Sequence, residues 1–293
     1  MGPMQIIDPD RNERLLKRVA RVVDSPVTVS PMKEALRRAA IPDELERVLD
    51  KNDLFQVNWL AIGLQRAQAV TRIGGADRAT GVLVSPSLLL TNHHVLPSRY
   101  AAKGSVAYFN DELDENGLDK PIMSFSLQPD RFFLTDEALD YTLVALPDEA
   151  AVKFGFCHLI NEQGKARVGE AVTIIQHPSG GKKQIAFRSN RVTEILPDYI
   201  RYETDTLGGS SGSPVFNDQW EMISLHHRSV ERQDANGHRL KLDGTLASAD
   251  TPDDQIDWVE NEGVRVSRIL ESVRDATLDA TSAPYREGLF ANL

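Results

Sequence analysis

The chain has 293 residues, 41% of them apolar, which is enough for one large or two modest domains with a real core and argues against a disordered polypeptide. Lysine and arginine number 33 against 43 aspartates and glutamates, and the formal charge of -10 disfavours attraction to nucleic acid or an anionic membrane. A single cysteine, Cys157, excludes an intrachain disulfide; with no apolar signal core at the amino terminus and no stretch as long as a membrane span, the expected setting is cytoplasmic.

In chain order, helices come first. Leu15, Val19, Val22 and Val23 recur at helical spacing among basic residues, Ser30-Pro31 reads as a cap opening a helix towards Ala40, and Leu45, Val48 and Leu49 line one side of a third segment from Pro42 to Lys51. Residues 1–58 are thus expected to form a small helical unit joined to a β-rich remainder. It either braces the main domain or docks a regulatory protein partner.

Beyond Gln56 the pattern changes to short β-type runs. Ala69–Ile73, Gly81–Val84 and Leu88–Thr91 are expected strands, with turn chemistry at Ser85-Pro86-Ser87. The third run leads into Asn92-His93-His94-Val95, which sets imidazoles at the close of a buried strand. Ser105–Asn110 is a further candidate, followed by a polar loop. Then Leu139-Asp140-Tyr141-Thr142-Leu143-Val144 places one carboxylate before an apolar run, where burial costs several kcal/mol unless a donor such as a histidine N–H meets it. In the second half, Ala171–Ile175, Ile185–Phe187, Val192–Leu196, Ile200–Glu203, Pro214–Phe216, Glu221–His227 and Gly263–Val266 are expected strands. Residues 230–257 read as a long surface loop, Ser267 as the cap of a carboxyl-terminal helix, and residues 281–293 as a mobile tail.

Chemistry concentrates at Asp205-Thr206-Leu207-Gly208-Gly209-Ser210-Ser211-Gly212-Ser213-Pro214. Small neighbours let the Ser211 hydroxyl stand on a tight turn, with the amides of Gly209 and Ser211 able to hold a developing oxyanion. A serine hydroxyl needs a base, and the base needs an orienting acid; His94 and Asp140 supply these, so His94, Asp140 and Ser211 are the expected catalytic set. An α/β-hydrolase is rejected, because there the nucleophile opens a helix and the histidine comes last. No metal or cofactor is expected. The acidic run Glu112-x-Asp114-x-Asn116-Gly117 has Met123 where a calcium loop needs glutamate, and adjacent histidines in a strand face opposite ways. Cys157 reads as buried packing.

The motifs Leu90-Thr91-Asn92-His93-His94-Val95, Leu139-Asp140-Tyr141-Thr142-Leu143-Val144-Ala145-Leu146 and Gly208 through Phe216 together resemble the trypsin-like (chymotrypsin-fold) serine peptidases. Within them the disulfide-poor bacterial branch that includes the glutamyl endopeptidases is the most similar, over about residues 65–275. The resemblance implies a mainly β fold of two antiparallel six-stranded β-barrels, about 65–150 and 165–267, inside a peptidase domain of residues 59–280. It also implies that His94, the histidine immediately before valine, is the catalytic one rather than His93, and that proteins or peptides are the substrates. His227, Arg228 and Ser229 would lie along the strand that pairs with substrate backbone. His226 and Thr206 match the residues with which glutamyl endopeptidases receive an acidic side chain, whereas Asp205 stands where trypsin carries the acid that pairs with Lys or Arg. Ser210 replaces the aspartate that secreted members use in zymogen activation, so control through the helical unit or the 230–257 loop is expected instead. The rival from another class is a catalytically silent binding protein on the same scaffold.

Overall fold

The computed structural model describes residues 55–75, 78–162 and 164–291, so the helices expected before residue 55 lie outside the described residues. The described chain opens with a helix that the sequence pattern did not reveal, α1 (Asn58–Gln68). Its Leu60 and Leu64 face solvent, and what fastens it is indole chemistry rather than an apolar stripe. Trp59 Nε1 donates to Asp218 O and Trp220 Nε1 to Trp59 O, both at 2.9 Å, with the two indoles 4.8 Å apart. A Cβ on Gly63 would stand 2.3 Å from the Trp220 ring, so only glycine lets the helix lie against it.

Seven strands follow: β1 (Val70–Gly74), β2 (Ala79–Ser85), β3 (Leu88–Thr91), β4 (Val106–Phe109), β5 (Met123–Ser126), β6 (Phe133–Asp136) and β7 (Tyr141–Ala145). They form one antiparallel sheet in the order β5-β4-β1-β2-β3-β7-β6. Strands β2, β3 and β7 are buried at every residue, which is why they read as continuous apolar runs and not as alternating ones. Strands β5 and β6, within the expected polar loop, are barely buried and carry no such signal. Beyond β5 the chain returns to the sheet, with Gln128 N donating to Ala145 O at 2.8 Å, which closes six strands on themselves. The seventh, β6, is added beside β7.

The second sheet repeats the plan with β8 (Thr173–Gln176), β9 (Gln184–Ala186), β10 (Arg191–Ile195), β11 (Tyr199–Glu203), β12 (Pro214–Phe216), β13 (Met222–Glu231) and β14 (Trp258–Arg265). Their order is β10-β11-β14-β13-β12-β8-β9. A bridge between Ala171 and Arg191, with Val192 N on Glu170 O at 2.9 Å, again closes six strands and leaves β9 outside. The fold is therefore mainly β with two antiparallel sheets of seven strands each, one strand more per sheet than the expected barrels. Short helices α2 (Arg99–Lys103) and α3 (Glu149–Phe154) decorate the first sheet.

Helix α4 (Val266–Asp275) is the expected carboxyl-terminal helix, with Ile269, Leu270 and Val273 fully buried. It begins two residues earlier than a Ser267 cap would set it, and Arg265 precedes it without a side-chain cap, so Ser267 is not the capping residue. Two expectations need correction. Residues 281–293 are not simply a tail: α5 (Ala283–Phe290) buries Leu289, and Tyr285 lies 5.3 Å from the Phe132 ring while accepting a hydrogen bond from Arg131. Two anchors four residues apart are too few to show as a period. Residues 230–257 are not one open loop either, since β13 continues to Glu231 and bridges at 233–239, 240–246 and 241–256 organise the excursion. Among the described residues no helix is long and apolar enough to cross a membrane.

Candidate active site

Antiparallel pairing of β3 with β7 sets Thr91 opposite Thr142, so the chain leaving β3 and the chain entering β7 emerge at the same end. His94 is three residues past that point on one strand and Asp140 two residues before it on the other. The result is a two-point hold: Asp140 Oδ1 accepts the His94 backbone N–H at 2.9 Å and Oδ2 meets His94 Nδ1 at 2.8 Å. Asp140 itself sits at φ 50, a left-handed conformation that aspartate tolerates better than most residues, and Asn92 Nδ2 donates to its carbonyl at 2.9 Å. Burial opposes ionisation of Asp140, but hydrogen bonds from His227 and His94 outweigh it and hold the carboxyl well below the usual carboxylate range. His93 turns away, its Nδ1 2.8 Å from Thr135 Oγ1.

The second contact of Asp140 was not foreseen. His227, expected beside the substrate, points its side chain into the protein instead: Nδ1 lies 3.3 Å from Asp140 Oδ2 and Nε2 3.1 Å from Glu262 Oε1, with Tyr199 stacked on the ring at 5.2 Å. A β-bulge explains it: the register of β13 against β14 slips between His226 and Arg228, and a bulge re-aims the side chain it carries, here His227. Glu262 was invisible where Asp140 was not, because no apolar run beside it marks it as buried, yet it is 1% exposed and also receives Arg228 and Arg201.

The Ser211 loop is held from behind by the first sheet. Thr80, fully buried on β2, gives its N–H to Ser211 O at 2.9 Å, donates its hydroxyl to Gly209 O at 2.9 Å and accepts His177 N–H at 3.0 Å. Ser179 N bonds the Gly208 carbonyl from the other side. Gly209 and Gly212 both need a left-handed backbone, φ 93 and 84, and a Cβ on Gly212 would lie 2.0 Å from Thr80 O. Among the described residues neither the Gly209 nor the Ser211 amide donates to a protein acceptor, so both are available to an oxyanion. The Ser211 hydroxyl makes no hydrogen bond to His94; catalytic hydrogen bonds are often long until substrate arrives. Threonine is ordinary in a strand, so nothing local singled out Thr80.

Ser211 opens onto a cleft of about 1110 Å³ that is also lined by Asp205, Thr206, His226, Arg228 and Ser229. His226 still pairs with Gly212 and Ser213 through its N–H and C=O; beyond it, β13 has no strand on its β12 side, which leaves a backbone edge at the cleft. The Thr206 and Ser229 hydroxyls both donate to Asn261 Oδ1, at 2.6 and 3.1 Å, and Asn261 Nδ2 in turn donates to Thr204 O. Asn261, a residue the sequence did not single out, thus ties the two walls together. Tyr202 OH lies 2.8 Å from His226 Nδ1. Burial keeps the phenol well above its ordinary value, so it retains its proton and can donate it to Nδ1; with that bond made, the imidazole proton is on Nε2. Burial likewise holds His226 down at about 3, so this ring is a neutral donor. Asp205 is exposed in the same cleft. Among the described residues no group of three or more His, Cys, Asp or Glu is arranged for a metal, and burial pushes the Cys157 thiol up to about 12.

Comparison with known proteins agrees with this architecture. The trypsin-like peptidase domain model matches residues 79–225, half of the chain. The uncharacterized protein y4fB of Sinorhizobium fredii is 36% identical over 262 residues, covering 80% of this chain and 40% of that protein. Glutamyl endopeptidase of Staphylococcus aureus is 26% identical over 211 residues, covering 64% of this chain and 53% of that protein. The chain therefore spans about half or less of the length of these curated relatives. Among solved structures, the active form of the Rv3671c protease from M. tuberculosis superposes with a TM-score of 0.52 at 16% identity, over 83% of this chain and 98% of that one, and shares the fold. With the family model matching half of the chain, from the start of β2 in the first sheet into β13 of the second, the chain belongs to the trypsin-like peptidase family.

Proposed function

We propose that this protein is a serine endopeptidase acting through an acyl-enzyme, with residues 59–280 as its peptidase domain. Ser211 Oγ attacks the substrate carbonyl while His94 Nε2 takes its proton; the resulting oxyanion is received by the Gly209 and Ser211 amides. His94 then gives that proton to the leaving amine, a water attacks the acyl-enzyme by the same route, and Asp140 stabilises the imidazolium in both halves without taking a proton. The observation that carries this reading is the two-point hold of Asp140 on the His94 ring and main chain, which fixes Nδ1 as the protonated nitrogen and leaves Nε2 as the base. Substrates are proteins or peptides that add their backbone to the open edge of β13 at His227 to Ser229.

For the residue before the scissile bond we propose glutamate or aspartate. A neutral imidazole whose Nε2–H is turned to the cleft is a donor suited to a carboxylate, and His226 is supported in that state by Tyr202. The competing preference, for Lys or Arg, has Asp205 on the rim of the same cleft in its favour. Labelling with a fluorophosphonate tests the activity: modification at Ser211, lost in Ser211→Ala, is expected, and an unlabelled wild type leaves a silent scaffold. Peptide-library profiling tests the preference, and selective cleavage after Lys or Arg transfers recognition to Asp205.

A further inference from the structure

Both nitrogens of the His227 ring face carboxylate oxygens, Asp140 Oδ2 on one side and Glu262 Oε1 on the other. An ionised carboxylate can only accept, so an imidazole placed between two of them satisfies both only with a proton on each nitrogen. The ring is not free to leave: its side chain is 9% exposed, and it lies parallel to Tyr199 with an interplanar angle of 5°. Glu262, 2% exposed at its side chain, is kept ionised in that place by Arg228 at 2.8 Å and Arg201 at 3.1 Å. The carboxylate that orients the base is thus gripped from two sides, by His94 on Oδ1 and Oδ2 and by His227 on Oδ2.

Resting on the assignment of His94, Asp140 and Ser211 as the catalytic set, we propose that His227 is a positioning residue: an imidazolium anchored by Glu262 that locks Asp140 in place and shares its negative charge with His94. Two consequences follow from the geometry. Asp140 cannot rotate about its side chain without breaking a bond to one ring or the other, so His94 is presented at a fixed angle to Ser211. The charge of Asp140 is also divided between two rings, so its hold on His94 depends on His227 staying in place.

The groups facing His227 from every side are Asp140 and His94 from the β3–β7 junction, Glu262 from β14, Tyr199 and Arg201 from β11, and His226 and Arg228 from its own strand. Burial disfavours a charge on this ring, but the hydrogen bonds it donates to Asp140 and Glu262 prevail, and its proton is held more tightly than on a free imidazole. The clamp is therefore complete at low pH and is lost as pH rises through the raised folded value.

The test uses the full chain in two arms. In a Ser211→Ala background with carbon-13-labelled histidine, NMR follows the His227 ring through a pH titration. The expected result is an imidazolium signal that persists above pH about 6.5, where a free imidazole is half deprotonated, and that gives way at lower pH in Glu262→Gln. A His227 ring already neutral at pH about 6.5 overturns the proposal. In the active protein, His227→Gln leaves Asp140 held by His94 alone. It lowers kcat with KM little changed. Glu262→Gln, which preserves shape if His227→Gln folds poorly, moves the alkaline limb to lower pH. Wild-type profiles in both variants overturn the proposal. If wild type neither cleaves peptides nor labels with a fluorophosphonate, the peptidase reading fails, while the NMR arm still decides the state of His227.

Discussion

Thr80→Val isolates a hydroxyl that the structure uses to join the first sheet to the oxyanion loop. The change keeps volume and β-branching at a position that is fully buried on β2, so packing is nearly conserved and the loss is that of two hydrogen bonds, to Gly209 O and from His177 N. His177 is fully buried, so its N–H is left without a partner or water, whereas the half-buried Gly209 carbonyl can partly rehydrate. Stranding one buried group and weakening another is expected to cost about 2–3 kcal/mol of folding free energy, read as a lower urea midpoint with an unchanged slope. Activity should fall by more than stability alone explains. In the proposed mechanism Gly209 supplies one of the two oxyanion amides, and removing such a donor outright costs about 100-fold or more in kcat. Loosening it is expected to cost about 10-fold, with KM little changed, since the effect is on the transition state. Thr80→Ser is the control: it retains the hydroxyl, loses one methyl worth about 1 kcal/mol, and should keep wild-type kcat. If Thr80→Val folds within about 0.5 kcal/mol of wild type and retains its kcat, the clasp plays no part in forming the oxyanion site.

Gly212→Ala forces a Cβ to within 2.0 Å of Thr80 O at φ 84, and is expected to cost about 3 kcal/mol and to abolish fluorophosphonate labelling, checked by thermal melting and mass spectrometry. Asp140→Asn should lower kcat by about four orders of magnitude while the protein still folds, because the amide can donate where the His94 N–H must be accepted; stopped-flow acylation measures it. Lys183→Met removes a buried ammonium from Glu112 at 2.8 Å and from Ala67 O at 2.7 Å; Lys120 still pairs with Glu112, so a loss of about 2 kcal/mol in urea unfolding is expected. Burial holds His226 at about 3 and His177 at about 4, so both stay neutral in the folded state and protonate in the unfolded one as pH falls. Folding stability should therefore decline from pH about 6.5 downwards, by up to about 1.4 kcal/mol per pH unit for each ring, and a His177→Phe variant should show the shallower slope.

Much of the site was legible because its signals are local. A strand buried on both faces must be apolar throughout, as at Leu88–Thr91 and Tyr141–Ala145, so His94 and Asp140 stood out as polar groups at the ends of such runs. A backbone that must turn left-handed beside a nucleophile requires glycine, so Gly209 and Gly212 announced the loop around Ser211. Strand boundaries came within a few residues for the same reason. What escaped were elements held by a few specific anchors, such as α1 on Trp59 and Trp220 or α5 on Tyr285 and Leu289, and strands too lightly buried to show a pattern.

By itself, then, the amino-acid order determined which chemical groups are present, where the chain extends or turns, and that a histidine, an aspartate and a serine stand at the ends of buried strands and on a glycine turn. Tertiary structure alone decided what those groups touch. It set the His227 side chain against Asp140, drew Glu262 under it, tied Thr206 to Ser229 through Asn261, and fastened Gly209 to Thr80 across the two sheets. The physical reason is range: backbone preference and burial period act over a few neighbouring residues, whereas each of these bonds joins positions tens of residues apart or more, and only the closing of both sheets brings them within reach.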